Sequence, residues 1–138
     1  YRGLGYIAWH SHSNEDALTF FRRALSIKSD DPETMLGIGL VYRRLGLNEE
    51  ALFWLERCVA SDRPPRNAFA ALAQTCNECT MPENGIDVLT RVIDAVGEQK
   101  TLLLTLGQLY IQNGNEDLGN EMLTRALDSS EPVLDKAS

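Results

Sequence analysis

Basic residues are in deficit. Thirteen Lys and Arg face twenty Asp and Glu, a formal net charge of −7 over 138 residues. Phosphate backbones are gripped by a basic stripe, so this balance excludes an RNA-reading helical array or another nucleic-acid footprint. No apolar run approaches the roughly 20 residues a membrane-spanning helix needs. No stretch alternates with period two for long enough to suggest a sheet. Cysteine is scarce: Cys58, Cys76 and Cys79 are an odd set that cannot all pair internally. They read as structural thiols in a reducing compartment, so a cytoplasmic location is expected, with the periplasm second. The chain opens at Tyr1 and not at Met, which gives it the look of an excised or processed segment. The lack of a leader therefore carries no information about export.

What the chain does have is a period. Gly5 recurs as Gly39, Ala73 and Gly107, 34 residues apart each time. Leu4, Ile38, Leu72 and Leu106 precede these small residues; Ala8, Tyr42, Cys76 and Tyr110 follow them by three. Ala17, Ala51, Gly85 and Gly119 form a second small column, followed by Phe21, Leu55, Leu89 and Leu123. Two further columns are Ala24, Cys58, Val92, Ala126 and Leu25, Val59, Ile93, Leu127. Within a unit these positions lie three or four apart, which puts them on one helical face. The small columns mark where two helices cross closely.

Punctuation gives two helices per unit. The turns inside the units read His12-Ser13-Asn14, Gly46-Leu47-Asn48, Thr80-Met81-Pro82 and Gly114-Asn115. Each joins a stop to a start signal, with acids in the following turn. Between units come Ser29-Asp30-Asp31-Pro32, Arg63-Pro64-Pro65-Arg66, Gly97-Glu98-Gln99 and Glu131-Pro132. First helices are predicted near 1–11, 32–45, 66–79 and 100–113, second helices near 14–27, 48–61, 82–96 and 116–128. The chain is then a single repeat domain over 1–133, in units of 1–31, 32–65, 66–99 and 100–133, with a tail at 134–138.

This pattern resembles the tetratricopeptide repeat, with its Leu-Gly and Tyr in the first helix and Ala and Phe in the second. Met35, Ile38-Gly39, Tyr42, Gly46, Ala51, Leu55 and Cys58 carry it in the second unit. Leu103, Leu106-Gly107, Tyr110, Gly114, Gly119, Leu123 and Ala126 carry it in the fourth. The first unit lacks the large residue at Ala8, and the third replaces Gly, Tyr and Ala by Ala73, Cys76 and Gly85. The resemblance implies an all-α fold: an α-solenoid of four helix-turn-helix repeats in a right-handed superhelix, with first helices lining a concave groove. In the branch of that family that grips C-terminal carboxylates, the groove carries a Lys-Asn-Asn-Lys-Arg clamp. The matching slots here read Arg2, Tyr6, Gly37, Asn67 and Ala71, so that function is rejected.

Other constellations read as packing. Cys76-Asn77-Glu78-Cys79 has metal or redox spacing but no second ligand pair. His10 and His12 diverge on a helix. Gly37-Ile38-Gly39 lacks the strand and third glycine of a phosphate loop. The acidic pairs Glu15-Asp16, Glu49-Glu50 and Glu116-Asp117 suit the dipole at second-helix starts and are expected to act with the caps there. No catalytic set is recognisable, and no cofactor or metal is expected.

Two surfaces remain. Arg23, Arg57, Arg91 and Arg125 form a column 34 apart, and Asp87 and Glu121, four residues before the last two, predict pairs within a helix. First helices carry Arg2, Arg43, Arg44 and Lys100 against Glu78, which predicts a mildly basic groove in an acidic shell. Its expected lining is Arg2, Tyr6, Trp9, Leu36, Leu40, Arg43, Ala70, Gln74, Asn77, Leu104, Gln108 and Ile111. The function expected is a non-catalytic protein-interaction module (scaffold, assembly factor or chaperone-like adaptor) holding a peptide or partner segment in that groove. The alternatives are a regulatory segment of a larger enzyme and a self-assembling array with exposed terminal repeats. Neither nucleic acid nor direct membrane insertion is expected. With only Val133 and Leu134 as apolar cover after the last helix, at least one end of the array is expected to need more chain or another copy.

Overall fold

The structure, a computed structural model, describes residues 1–128, all of it helix and connection. Eight helices follow in order: α1 (Arg2–His10), α2 (Asn14–Ile27), α3 (Pro32–Arg44), α4 (Asn48–Val59), α5 (Arg66–Asn77), α6 (Pro82–Val96), α7 (Lys100–Gln112) and α8 (Glu116–Leu127). They pair as α1–α2, α3–α4, α5–α6 and α7–α8, and each second helix packs on the next first helix. The sequence boundaries agree with these to within two residues. The tail and its Val133 and Leu134 lie outside the described residues.

The small columns do what their spacing predicts. A Cβ on Gly39 would lie 2.7 Å from Leu55 Cγ, and one on Gly107 would lie 2.9 Å from the Gly119 carbonyl oxygen. Any larger side chain at either place would push the paired helices apart. The Phe21 ring is a special case: Gly5 faces it from its own unit and Gly37 from the next, at 2.5 and 2.3 Å from the would-be Cβ atoms. Gly37-Ile38-Gly39 is thus a packing element. Two clusters form the core, one in the first two units around Phe21 and Val41, the other running from Met35 to Ala126. Tyr42 and Trp54 pack against both and make them continuous.

Three of the four intra-unit turns share one geometry. His12, Gly46 and Gly114, 34 or 68 apart, all have positive φ (62°, 80° and 88°). The amide that follows each donates back five residues, Ser13 to Ala8, Leu47 to Tyr42 and Asn115 to Tyr110, at 2.8–2.9 Å. This is the left-handed helix stop that glycine favours. The third turn, 78–81, is one residue longer than the others and has no left-handed residue. Pro82 at the first position of α6 starts the next helix instead.

The expected caps are mostly absent. Only Asn115 caps with its side chain, accepting from the Leu118 amide at 3.2 Å. Asn14 and Asn48 already lie inside α2 and α4. There they bond across units: Asn14 Oδ1 accepts from Arg44, and Asn48 Nδ2 donates to the Glu78 carbonyl.

Candidate protein-binding face

Successive first helices touch along the array, α1 on α3, α3 on α5 and α5 on α7, whereas among second helices only α4 and α6 touch. Closer spacing on one side curves a stack toward that side, so the first helices form the inner face. Their positions decide which expected lining residues can reach a partner.

Trp9, Leu40, Arg43, Arg44 and Glu78 meet in one open depression of about 260 Å³ on this face. The Arg43 guanidinium makes a two-pronged pair with the Glu78 carboxylate, at 3.0 and 2.9 Å, and links α3 to the end of α5. The pair keeps both groups charged: the hydrogen bond from Arg43 lowers the Glu78 carboxyl below its usual range, and that to Glu78 raises Arg43. Arg44 lies over the Trp9 ring at 4.3 Å and donates to the Trp9 carbonyl and to Asn14. The Trp9 indole N–H is shielded from solvent and has no acceptor among the described residues. Further along, Ala70, Gln74, Asn77 and Gln108 are exposed and Leu104 is half-buried.

Two expected lining residues belong elsewhere. Leu36 is only 3% exposed and sits in the core, because its turn of α3 is covered by neighbouring helices. Tyr6 packs edge-on against Phe21 and donates its hydroxyl to the Glu33 carbonyl, and burial pushes its phenol pKa far up. Ile111 stays 38% exposed, with its Cγ1 2.5 Å from where a Gly119 Cβ would stand. Arg2 remains half-exposed but is tied to Asp31 at 3.0 Å. Sequence reasoning missed Arg44 as a lid on Trp9. The mildly basic groove is corrected too: Arg2 and Arg43 are each neutralised by a carboxylate, and Glu33 in the first turn of α3 adds another acid.

On the outer surface the last two arginines of the column pair across units, not within helices. Arg91 takes Glu56 of the preceding unit at 3.0 and 3.1 Å, and Arg125 takes Glu98. Arg57 lies over Phe53 and Trp54, and Arg23 over Tyr1. A second depression here is lined by Phe53, which is 55% exposed, with Glu49, Asp87 and Arg91. The thiols are inert packing groups: burial pushes Cys58 and Cys76 up to about 12 and raises Cys79 less decisively. Among the described residues no three His, Cys, Asp or Glu gather to hold a metal.

The comparisons with known proteins agree with this architecture. Residues 32–64 match the family model of the tetratricopeptide repeat. The fold is that of a tetratricopeptide-type solenoid. Its fold is similar to the crystal structure of MamA, with a TM-score of 0.66 and 22% identity over 91% of this chain and 73% of that one. A second MamA structure gives 0.67 at 21% identity, covering 91% and 69%. YrrB, described as a TPR protein with an unusual peptide-binding site, matches with a TM-score of 0.54 and 17% identity over 90% and 81%. No curated protein matches the sequence. No helix of the described residues is long and apolar enough to cross a membrane.

Proposed function

We propose that the chain is a non-catalytic adaptor that holds an extended peptide segment of a partner protein along its first helices. The observation that supports this is the division within those helices. Leu72, Leu102 and Leu106 are fully or nearly buried on one side, while Gln74, Asn77 and Gln108 stand exposed on the other. Exposed amides offer both donors and acceptors to a peptide backbone. Leu40 and the face of Trp9 give an apolar anchor point, and the Arg43–Glu78 pair can exchange either partner for a ligand charge. The depression is too small and open for a buried small-molecule site, which usually encloses about 300–1,000 Å³.

The test is capture of the partner with the full 138-residue chain, followed by titration of the mapped segment into single variants. Trp9→Ala and Arg43→Ala should each weaken binding by roughly 1–2 kcal/mol, and Arg57→Ala on the outer face should be nearly silent. A partner mapped wholly to the outer face around Phe53 would overturn the proposal.

A further inference from the structure

One exposed column of the second helices breaks its own pattern. Thr19, Phe53, Asp87 and Glu121 stand 34 apart, and all four are exposed. Polar residues suit a solvated face, and three of the four are polar. Phe53 is the exception. Its ring meets Trp54 edge-on at 5.4 Å and lies 5.5 Å from the Arg57 guanidinium, yet more than half of the side chain stays in water. Phe53 belongs to the second unit, with a full unit on either side, so its exposure does not come from an end of the array.

The ring stands beside a groove between α4 and α6. Leu52 and Val88, both nearly buried, form the floor of this groove, whose volume is about 310 Å³. A depression of about 410 Å³ shares Glu49 and Asn84 with it and extends it to the turns, where Leu47 and Met81 are exposed. Apolar footholds thus occur at both ends of one trough. Its charge is one-sided. Glu49, Glu50, Glu56 and Asp87 line it against the single guanidinium of Arg91, with Arg57 at the rim over Phe53. Arg91 is engaged by Glu56 of the preceding unit. Asp87, four residues before Arg91 on the same helix, is left without an ion pair among the described residues, as are Glu49 and Glu50. Glu49 and Glu50 serve the dipole in the first turn of α4. Asp87 lies beyond the first turn of α6 and has no such use.

We propose that this trough is a second docking site, distinct from the inner face, for a basic segment of a partner protein. The segment lays an aliphatic or aromatic side chain on Phe53 and sets an Arg or Lys opposite Asp87. Charge complementarity selects this occupant. An acidic trough repels nucleic acid and anionic lipid surfaces alike. A second copy is disfavoured by the chain's own net charge of −7. The aromatic foothold supplies affinity, and the unpaired carboxylate fixes the register.

The probe is a library of random dodecapeptides displayed on phage and selected on the full 138-residue chain, with recovered sequences synthesised and titrated. Recovered peptides should combine Arg or Lys with Leu, Phe or Trp. Phe53→Ser should weaken their binding roughly tenfold or more, as loss of a central aromatic does. Asp87→Asn should weaken it about threefold and flatten its dependence on salt. Both positions are exposed, so both variants should melt with the parent chain. Trp9→Ala and Arg43→Ala, on the inner face, should leave these affinities unchanged. The proposal is overturned if no recovered peptide depends on Phe53. Dependence on Trp9 without dependence on Phe53 overturns it too, and leaves the inner-face reading standing. So does a concentration-dependent dimer that Phe53→Ser abolishes and the peptides do not displace, which would give the trough to a second copy.

Discussion

The Phe21 ring and Gly37 should be energetically coupled, and the structure sets the size of the coupling. Gly37→Ala alone places a methyl 2.3 Å from Phe21 Cζ and 2.6–2.8 Å from its Cε atoms. The intrinsic gain of about 1 kcal/mol for alanine over glycine in a helix is opposed by an overpacking cost of about 1–3 kcal/mol. The single variant should therefore lose about 1 kcal/mol. Phe21→Leu alone removes roughly three carbons from a fully buried side chain, at about 0.8 kcal/mol each, so it should lose about 2 kcal/mol. With both changes, the site resembles the next junction, where Leu55 and Ala71 occupy the same slots. The alanine then fills part of the cavity and keeps its helical gain, and the double variant should lose only about 1 kcal/mol rather than the additive 3. Urea unfolding of the four proteins, with unchanged m-values, measures the cycle. Additivity within about 0.5 kcal/mol would show that the ring does not bridge the two units.

Two further outcomes follow from other parts of the array. His12 holds the left-handed conformation that Gly46 and Gly114 hold elsewhere. His12→Gly should relieve about 1–2 kcal/mol of strain and lose about 0.5–1 kcal/mol to chain entropy, so the thermal midpoint should rise slightly; a fall would refute the assignment. Asp31 is 7% exposed and accepts from the Thr34 hydroxyl at 2.6 Å and from Arg2. Burial opposes its charge, but those two bonds outweigh burial and hold its pKa below the ordinary value. A carboxyl with a depressed folded pKa stabilises above the unfolded value and loses that contribution as pH falls through the folded one. Asp31→Asn should therefore cost about 1–3 kcal/mol at pH 7, and the difference from the parent chain should shrink below about pH 4. A pH-independent difference would refute the charged role.

The helix boundaries were legible because 34 residues separate every unit without insertion, so each slot tests the others. Burial of columns such as Leu55 and Leu89 came with them. The inner surface was less legible, because it depends on how units turn relative to one another. Arg43 and Glu78, or Glu56 and Arg91, are 35 apart, one residue off the repeat, and no single-helix rule brings them together. For the same reason the pairs expected from Asp87 and Glu121 gave way to partners in the preceding unit or its loop. Leu36 lies on the borderline between inner face and core, and a period of three or four cannot resolve a quarter-turn of a helix. Arg44 over Trp9 had no local signal at all.

Glu78 receives bonds from two sides: its carboxylate from Arg43 and its carbonyl from the Asn48 side chain. Both donors belong to the second unit, and both act on the end of α5, next to the turn that lacks a left-handed stop. If the array is considered as a spring, this junction is riveted at one point near its inner edge. Stretching the coil there means breaking a two-pronged ion pair and a helix-end bond together. The pitch between units two and three is thus held before any ligand arrives. Under the proposed function, a partner segment whose spacing matches that pitch would meet a ready-made ruler, whereas one that needs a longer pitch would have to draw its extension from the other junctions.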